Sequence, residues 1–295
     1  MMQKETETTI LQQFYNYARL ARIDKPVGFL LLLWPTLWGL WMAENGFPEI
    51  GRLIIFVLGV FLMRSAGCII NDIVDKGFDK NVARTSDRVL VTGEVSILEA
   101  YFILAGLLLV SASLLVSLNE YAVSIAFVAA ISVIIYPFFK RFFPVPQAIL
   151  GIAFGFGILM AFADTKEVIE PVAWTMFFGN FFWAISYDTA YAMVDKEDDL
   201  KIGLKSSAIT FGKFDMVAVN ICQVIFLILM ITPIALMSFG FLYGISWFLA
   251  TIYSFYLSLS FVKMSKERSF EYFKKSHRVG AILFFGMLLD LSVDF

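Results

Sequence analysis

The chain has 295 residues, of which 59% are hydrophobic and only 16% are charged, and its formal net charge is −2. Together with a mean hydropathy of +0.78, this composition is more apolar than that of a soluble domain and predicts an integral membrane protein. The sequence has no basic tract interleaved with aromatic residues, which argues against a nucleic-acid-binding function. Charge is costly in hydrocarbon, so functional residues are expected in the short charged stretches between apolar runs.

Nine apolar runs are long enough to cross a bilayer, since a spanning helix needs about 17–25 predominantly apolar residues. We therefore predict an all-α polytopic membrane protein with nine transmembrane helices in a single bundle. An N-terminal cytoplasmic segment, residues 1–26, is expected to precede one transmembrane domain over residues 27–295. The predicted spans are residues 27–43, 52–71, 97–117, 120–138, 146–163, 171–190, 214–236, 239–262 and 279–294.

The positions of lysine and arginine predict the orientation of these spans, because short cytoplasmic loops carry an excess of both residues. The N-terminal segment and the connections after the even-numbered spans hold 20 of the 23 lysines and arginines. The opposite connections hold only Arg52 and Lys166, and Arg64 falls within a predicted span. The N-terminus is therefore expected in the cytoplasm and the C-terminus on the other side of the membrane.

Two acidic stretches lie where the second and sixth predicted spans end, both on the side assigned to the cytoplasm. In each stretch, aspartates recur at spacings that place them on one face of a continuing helix. We call these two sets of aspartates the first and the second acidic row. The first row comprises Asp72, Asp75 and Asp79, and the second comprises Asp188, Asp195 and Asp199, with Asp198 beside it.

The two acidic rows together favour a metal site. So many carboxylates in a poorly hydrated cavity repel one another unless a cation neutralises them. Ligands that are all oxygen favour a hard ion, and Mg²⁺ typically takes one or two carboxylates, waters and the phosphate oxygens of a substrate. The rows therefore predict Mg²⁺ and a phosphate-bearing substrate. For either row alone, the alternative interpretation is a solvated cluster of charges at a helix end.

Basic side chains near the rows are candidates for binding that phosphate. Arg84 and Arg88 follow the first row and Lys205 follows the second, and arginine can bind diphosphate oxygens through two parallel hydrogen bonds. Arg64 lies about two helical turns before Asp72, and a cation inside a membrane span is by default a functional candidate. The alternatives are the positive-inside bias for the loop cations and a structural ion pair for Arg64.

The end of the fourth predicted span adds a phenol and two cations at the same membrane level, namely Tyr136, Lys140 and Arg141. These side chains are candidates for bordering the same cavity. Aromatic residues make up 17% of the chain, and aromatic rings suit both an apolar ligand and, through cation–π attraction, a cation. The alternative is that these rings are ordinary lipid-facing or packing groups.

The acidic motifs resemble those of the UbiA superfamily of intramembrane prenyltransferases. The likeness rests on the NDxxDxxxD pattern of residues 71–79 and the DxxxD pattern of residues 195–199. The chain departs from the family at Val89, where a proline usually follows the second arginine. Four stretches further resemble the branch that prenylates 4-hydroxybenzoate, namely residues 22–26, 31–41, 136–141 and 187–209.

This resemblance implies a nine-helix bundle around a central cavity that opens laterally to lipid. It implies transfer of a polyprenyl group from polyprenyl diphosphate to the ring carbon ortho to the hydroxyl of 4-hydroxybenzoate, a step of ubiquinone biosynthesis. The expected cofactor is Mg²⁺, the expected location is the bacterial inner membrane with the active site on the cytoplasmic side, and no obligate protein partner is evident.

The resemblance also implies roles for ten of the candidate residues. The five aspartates of the two patterns are expected to bind Mg²⁺ and the diphosphate as catalytic residues, and the loop arginines and Lys140 are expected to hold the diphosphate. Arg64 and Asn71 are expected to position the aromatic acid. The whole set is Asp72, Asp75, Asp79, Asp195 and Asp199 for the metal, and Arg64, Asn71, Arg84, Arg88, Tyr136, Lys140, Arg141, Asp188, Asp198 and Lys205 for the substrates.

The sequence leaves other functions open. A transporter can also carry acids and an arginine within the membrane, although both rows lie at the membrane edge rather than at its midplane. A phosphotransferase of the CDP-alcohol type also uses helical aspartates, but its D-G-x-x-A-R core occurs in neither acidic stretch. Among prenyltransferases, another aromatic acceptor or haem is possible.

Overall fold

The computed structural model describes residues 9–237, 239–261 and 265–293, and within these ranges the regular structure is helical, without a β-strand. This confirms the predicted all-α class. The helices are α1 (Ile10–Leu20), α2 (Val27–Glu44), α3 (Ile50–Asp79), α4 (Val89–Thr92), α5 (Ile97–Leu115), α6 (Glu120–Phe139), α7 (Pro146–Lys166), α8 (Pro171–Ile202), α9 (Ser207–Phe211), α10 (Asp215–Leu229), α11 (Thr232–Leu236), α12 (Phe241–Phe261) and α13 (Lys266–Val293).

Eight helical stretches of the described chain are long and apolar enough to cross a membrane, and they correspond to all the predicted spans except the sixth. The sixth lies in α8, which has 32 residues and packs against α2, α7, α10 and α13. This helix buries polar side chains such as Asn180, Ser186 and Thr189. A helix covered by its neighbours needs less apolar sequence, so the membrane bundle is confirmed while the count of nine spans stays a prediction.

Several helices have bounds that differ from those of the predicted spans. Helices α3 and α8 run on to Asp79 and Ile202, so both acidic rows lie on continuing helices, as predicted. The seventh predicted span is divided between α10 and α11, where Pro233 lies in the first turn of the new helix, a position that does not need its missing amide. The predicted limits at residues 262 and 294 lie outside the described residues.

A stacked aromatic cluster joins four helices of the bundle. The rings of Trp183 and Phe226 stack with centroids 5.2 Å apart, and Trp38 lies 5.5 Å from Trp183. The indole Nε1 of Trp38 donates a 3.1 Å hydrogen bond to the carbonyl of Gly280 on α13. Large buried aromatic side chains contribute much of the packing energy. This cluster therefore packs α8 firmly against its neighbours, and the part of α8 that carries the second acidic row follows it in the sequence.

Helix α1 lies in the segment for which no structure was predicted, and it packs against the start of α5. Both Gln13 and Tyr17 donate side-chain hydrogen bonds to Glu99 Oε1, at 2.8 and 2.7 Å. Just beyond α1, Arg22 has a φ of 56°, a left-handed conformation that is uncommon for a residue other than glycine. The turn after α1 thus directs the Arg22 side chain towards α3.

Candidate active site

A cavity of about 760 Å³ opens among α2, α3, α5, α6, α7, α8 and α13. Its charged side chains lie towards the end of the bundle where α3 and α8 carry the acidic rows, which we call the acidic end. The rest of the cavity is lined by apolar side chains from the middle of the helices. Examples of the polar lining are Arg22, Arg64 and Asp72, and examples of the apolar lining are Phe56, Ala130 and Phe154.

The first acidic row is buried beneath two arginines. Arg88 Nη1 lies 2.5 Å from Asp79 Oδ2 and 3.0 Å from Asp72 Oδ1, and Arg22 Nη2 lies 2.8 Å from the same Asp72 oxygen. The other oxygen of Asp72, Oδ2, is buried and has no hydrogen-bond partner among the described residues. Because a buried polar atom normally has a partner, Asp72 retains an acceptor for a ligand in the cavity.

Lys140, at the end of α6, connects the first acidic row to the chain after α8. Its Nζ donates to Asp75 Oδ2 at 3.0 Å and to Asn71 Oδ1 at 3.1 Å, and lies 5.6 Å from the centroid of the Tyr136 ring. Its carbonyl accepts a 2.7 Å hydrogen bond from the backbone amide of Lys205. The end of α6 is therefore fixed at the same level as both rows.

Arg84 links the segment after α3 to the second acidic row. Its guanidinium donates to both oxygens of Asp195, at 2.9 Å from Nε and 2.5 Å from Nη2, and its Cζ lies 4.5 Å from the centroid of the Tyr191 ring. Burial lowers the pKa of Arg84, but Tyr191 and Asp195 raise it more, so the net pKa lies above its ordinary value. Arg84 therefore stays charged where the two rows approach each other.

The donor chemistry at the acidic end fits a hard divalent cation. The carboxylates of Asp75 and Asp199 are close enough to interact electrostatically, with Lys140 near both. In the described ranges, no group of three or more His, Cys, Asp or Glu side chains could hold a metal ion. A cation that binds one or two carboxylates and takes its other ligands from water and phosphate suits this arrangement, and the unpartnered oxygen of Asp72 is a suitable ligand.

Arg64 reaches the cavity from the middle of α3 without an ion pair. It lines the cavity, and in the described part of the chain no carboxylate lies within ion-pair distance of it. Arg22 repels its charge and Asp72 attracts it, the latter from beyond ion-pair distance. An unpaired cation within a membrane bundle requires a partner, so Arg64 is suited to bind an anionic ligand. The structural ion pair considered for Arg64 is not formed.

The other predicted site residues differ in their position relative to the cavity. Asp188 lines it, as do Asn71, Tyr136 and the basic residues that hold the first row. Arg141 is exposed and donates to the carbonyl of Val74 at 3.2 Å, while Asp198 pairs with Lys201 at 3.1 Å. The predicted residues outside the cavity lining are Asp75, Asp79, Arg141, Asp195, Asp198, Asp199 and Lys205, and their roles stay predictions.

The sequence profile of the UbiA prenyltransferase family matches residues 32–284. This chain belongs to that family. A 4-hydroxybenzoate octaprenyltransferase from Cupriavidus pinatubonensis is 50% identical over 277 residues, covering 94% of this chain and 97% of the relative. A protein of the same name from Nitrosomonas eutropha is 48% identical over 290 residues, covering 97% of this chain and 100% of the relative. The UbiA assignment therefore holds over nearly the whole sequence.

Solved structures of UbiA homologues share the fold. The apo homologue from Aeropyrum pernix superposes with a TM-score of 0.79 at 23% identity, covering 91% of this chain and 98% of that one. A homologue from Archaeoglobus fulgidus, solved with DMAPP and Mg²⁺, gives a TM-score of 0.73 at 21% identity, covering 94% and 99%. These likenesses support the helical bundle described above.

Three residues at the acidic end of this UbiA-family chain were not among the predicted site residues. Arg22 pairs with Asp72, and the rings of Tyr187 and Tyr191 line the cavity. The hydroxyl of Tyr187 is buried without a partner among the described residues. All three occur in stretches that carry the family resemblance, and the spacing of the tyrosines, i and i+4 on the helix of the second row, was the available signal.

Proposed function

We propose that this protein transfers a polyprenyl group from polyprenyl diphosphate to 4-hydroxybenzoate, at the ring carbon ortho to the hydroxyl. Relatives that are about half identical over nearly the whole chain carry the name of this activity. The observation that carries the proposal is one cavity in which a long apolar lining adjoins a charged end. An amphiphile with an isoprenoid tail and a diphosphate head matches both parts.

The charged end supplies groups of both signs for the diphosphate. Arg84, Arg88 and Lys140 carry donors that suit its oxygens. Carboxylates of the two acidic rows would hold Mg²⁺, one or two of them directly and the others through its bound waters, in keeping with the ion bound to the Archaeoglobus fulgidus homologue. The candidates are Asp72, Asp75, Asp79, Asp195 and Asp199. Bound there, Mg²⁺ supplies positive charge that offsets the charge developing on the diphosphate as the allylic C–O bond breaks.

The protein then has to protect and direct an allylic cation. The C–O bond breaks with its electron pair going to the diphosphate, and the cation lies among apolar walls that exclude water. The rings of Tyr136 and Tyr191 line this part of the cavity and attract the cation through their π faces. The ring carbon ortho to the acceptor hydroxyl forms the new C–C bond, and loss of the proton from that carbon restores aromaticity.

The acceptor needs a site for its carboxylate within reach of the diphosphate. Two cavity-lining cations have no ion pair in the described chain, the exposed Lys25 and Arg64, and of these only Arg64 lies within a membrane-spanning helix. Asn71 lies on the same helix two turns on, where its side-chain oxygen accepts from Lys140. We assign the carboxylate to Arg64, because an aromatic acid bound there presents its ring towards the charged end. Asn71 then positions the ring beside the diphosphate.

The membrane orientation follows from the distribution of basic residues and belongs to the same proposal. The acidic end lies on the side that carries nearly all lysines and arginines, so it faces the cytoplasm, where the acceptor acid is dissolved. The N-terminus lies on that side and the C-terminus on the other side of a bacterial inner membrane. The isoprenoid tail enters from the lipid.

A product assay tests this function. Membranes containing the protein are incubated with a prenyl diphosphate, Mg²⁺ and a panel of isotopically labelled aromatic acids, and the products are identified by mass spectrometry. We expect 4-hydroxybenzoate to gain one prenyl group on the ortho carbon. Prenylation of another acid in preference to 4-hydroxybenzoate would change the acceptor, and the absence of any prenylated product would contradict the proposed reaction.

A further inference from the structure

The Arg64 guanidinium occupies the space that a side chain on Gly28 would need. Gly28 lies in the first turn of α2, facing α3. A Cβ atom built on Gly28 would lie 2.6 Å from Arg64 Nε and 2.8 Å from Arg64 Cζ, and closer still to Nη2. These distances are far below van der Waals contact, so any larger residue at position 28 must displace the guanidinium.

The backbone gives no other reason for a glycine at this position. Gly28 is not among the glycines with positive φ, which are Gly93, Gly203 and Gly212. In a helix, alanine is a better residue than glycine because it restricts the unfolded chain. The three atoms nearest to the Gly28 Cβ position all belong to the far end of the Arg64 side chain. The absence of a side chain at Gly28 therefore leaves room for the Arg64 guanidinium and is not required by the backbone of helix α2.

The guanidinium has little else to fix its position. Arg64 forms no ion pair in the described chain, Arg22 repels it and Asp72 attracts it from beyond ion-pair distance. An unrestrained arginine has many rotamers, and ordering one costs conformational entropy. The space left by the missing side chain of Gly28, which we call the notch, receives the guanidinium. Gly28 and Arg64 both line the cavity, so the guanidinium remains on the cavity lining.

We propose that Gly28 is a specificity-determining residue, which acts by seating the Arg64 guanidinium where it binds the carboxylate of the aromatic acceptor. This inference rests on the proposed function. Gly28 touches no reacting atom and is therefore a positioning residue. With a methyl group at position 28, the guanidinium moves away from the acceptor subsite, while the side chains that bind the diphosphate keep their positions.

The test compares two acceptors of similar shape, the anionic 4-hydroxybenzoate and the uncharged 4-hydroxybenzamide. For the purified wild-type protein and the Gly28→Ala variant, kcat/KM is measured for each acceptor at saturating prenyl diphosphate and Mg²⁺. We expect the preference for the acid over the amide to fall roughly tenfold to a hundredfold, the value of one hydrogen bond to a charged group. The KM for the prenyl diphosphate should be unchanged.

A double-mutant cycle shows whether Gly28 acts through Arg64. If it does, Gly28→Ala should lower the acid preference in the wild-type background and have no further effect in the Arg64→Ala background, because coupled residues are not additive. The control is Gly106→Ala, at a helical glycine of α5 that lies outside the cavity lining and whose Cβ would meet open space. That variant should keep the wild-type preference.

Several outcomes would overturn this role of Gly28. One is an unchanged acid preference in Gly28→Ala, and another is an equal loss for both acceptors. A thermal midpoint well below that of Gly106→Ala would also count against it, because the methyl group would then be meeting more than a mobile side-chain end. If the wild-type protein prenylates the acid and Gly28→Ala does so with the same preference, the proposed function stands and only this inference fails.

Discussion

Buried charged side chains occur at the acidic end of the bundle and at the opposite end, which we call the far end. They are paired differently at the two ends. At the far end, Asp164 accepts from Arg52 Nε at 2.7 Å and from the backbone amide of Asn119 at 3.0 Å, and Arg52 also pairs with Glu44. At the acidic end, by contrast, an Asp72 oxygen is left without a partner among the described residues. The charged groups at the far end pair with one another, whereas Asp72 at the acidic end has an oxygen that can still accept a hydrogen bond.

A second far-end carboxylate shows the same completeness. Asp290, on α13, is 6% exposed and accepts hydrogen bonds from the backbone amides of Gly240, Leu242 and Tyr243 at 2.5, 3.0 and 3.2 Å. It thus accepts hydrogen bonds from the amides at the start of α12 that have no partner within the helix, as an N-cap side chain does. Burial of a charge therefore does not by itself identify a functional residue. A stronger indication is a group of buried charges beside a cavity in which some polar atoms, such as Asp72 Oδ2, have no partner among the described residues.

The comparison predicts its largest effect on activity at the acidic end. Replacing Asp75 by Asn keeps the shape of the side chain but removes its charge, so it weakens both the metal site and the hold on Lys140. We expect kcat to fall by about a hundredfold to a thousandfold, the loss seen when one transition-state contact is removed. Steady-state prenylation of 4-hydroxybenzoate by purified protein measures this.

The control for Asp75→Asn is its thermal midpoint in detergent, which should stay close to that of the wild type. Near-normal turnover by a folded variant would remove Asp75 from the metal and diphosphate site. A variant that no longer folds would place Asp75 with the structural carboxylates of the far end.

At Asp290 the effect should fall on stability and not on activity. Asp290→Ala leaves the three amides at the start of α12 without their acceptor, which should lower the free energy of unfolding by about 2 kcal/mol. The thermal midpoint in detergent should drop, while the KM for either substrate in protein that remains folded is unchanged. An intact midpoint, or a selective change in KM, would show that Asp290 is not the cap described here. Ser292→Ala, at an exposed neighbour, is the matched control.

The smallest effect is expected at Asp164. Asn at this position keeps one oxygen for the amide of Asn119 but loses the charge that pairs with Arg52, so we expect a loss of about 1 kcal/mol in the free energy of unfolding. Glu170→Gln, which removes a more exposed ion pair with Lys166, should have almost no effect. Equal thermal midpoints for Asp164→Asn and Glu170→Gln would show that the pairing of Asp164 with Arg52 adds nothing to stability.

The sequence predicted the parts of this molecule that depend on local patterns. Apolar runs located most of the helices, and the spacing of Asp72, Asp75 and Asp79 placed them on one helical face, as the structure confirms. Helix α1 was missed because it is short and stabilised by its contacts with Glu99. Likewise, α13 begins at Lys266, well before the apolar run that marked it, because its first turns carry charges at a surface.

The contacts within the site could not be predicted from spacing. Arg22 and Asp72 pair across 50 positions of sequence, and such partners depend on how the helices pack. The notch at Gly28 is equally hidden, since a glycine near a helix start has several ordinary explanations. A family resemblance supplied roles for the aspartates and arginines. Only the packed structure shows which of these side chains form ion pairs and hydrogen bonds with one another.

The central claim is that the two acidic rows and the cations between them form one site for a metal and a prenyl diphosphate. It is tested most directly by equilibrium binding of labelled farnesyl diphosphate to the purified protein, without acceptor, across a titration of Mg²⁺. We expect binding to require Mg²⁺, to be lost on chelation and in Asp75→Asn, and to persist in Asp164→Asn. Binding that is indifferent to both the metal and Asp75 would contradict this claim.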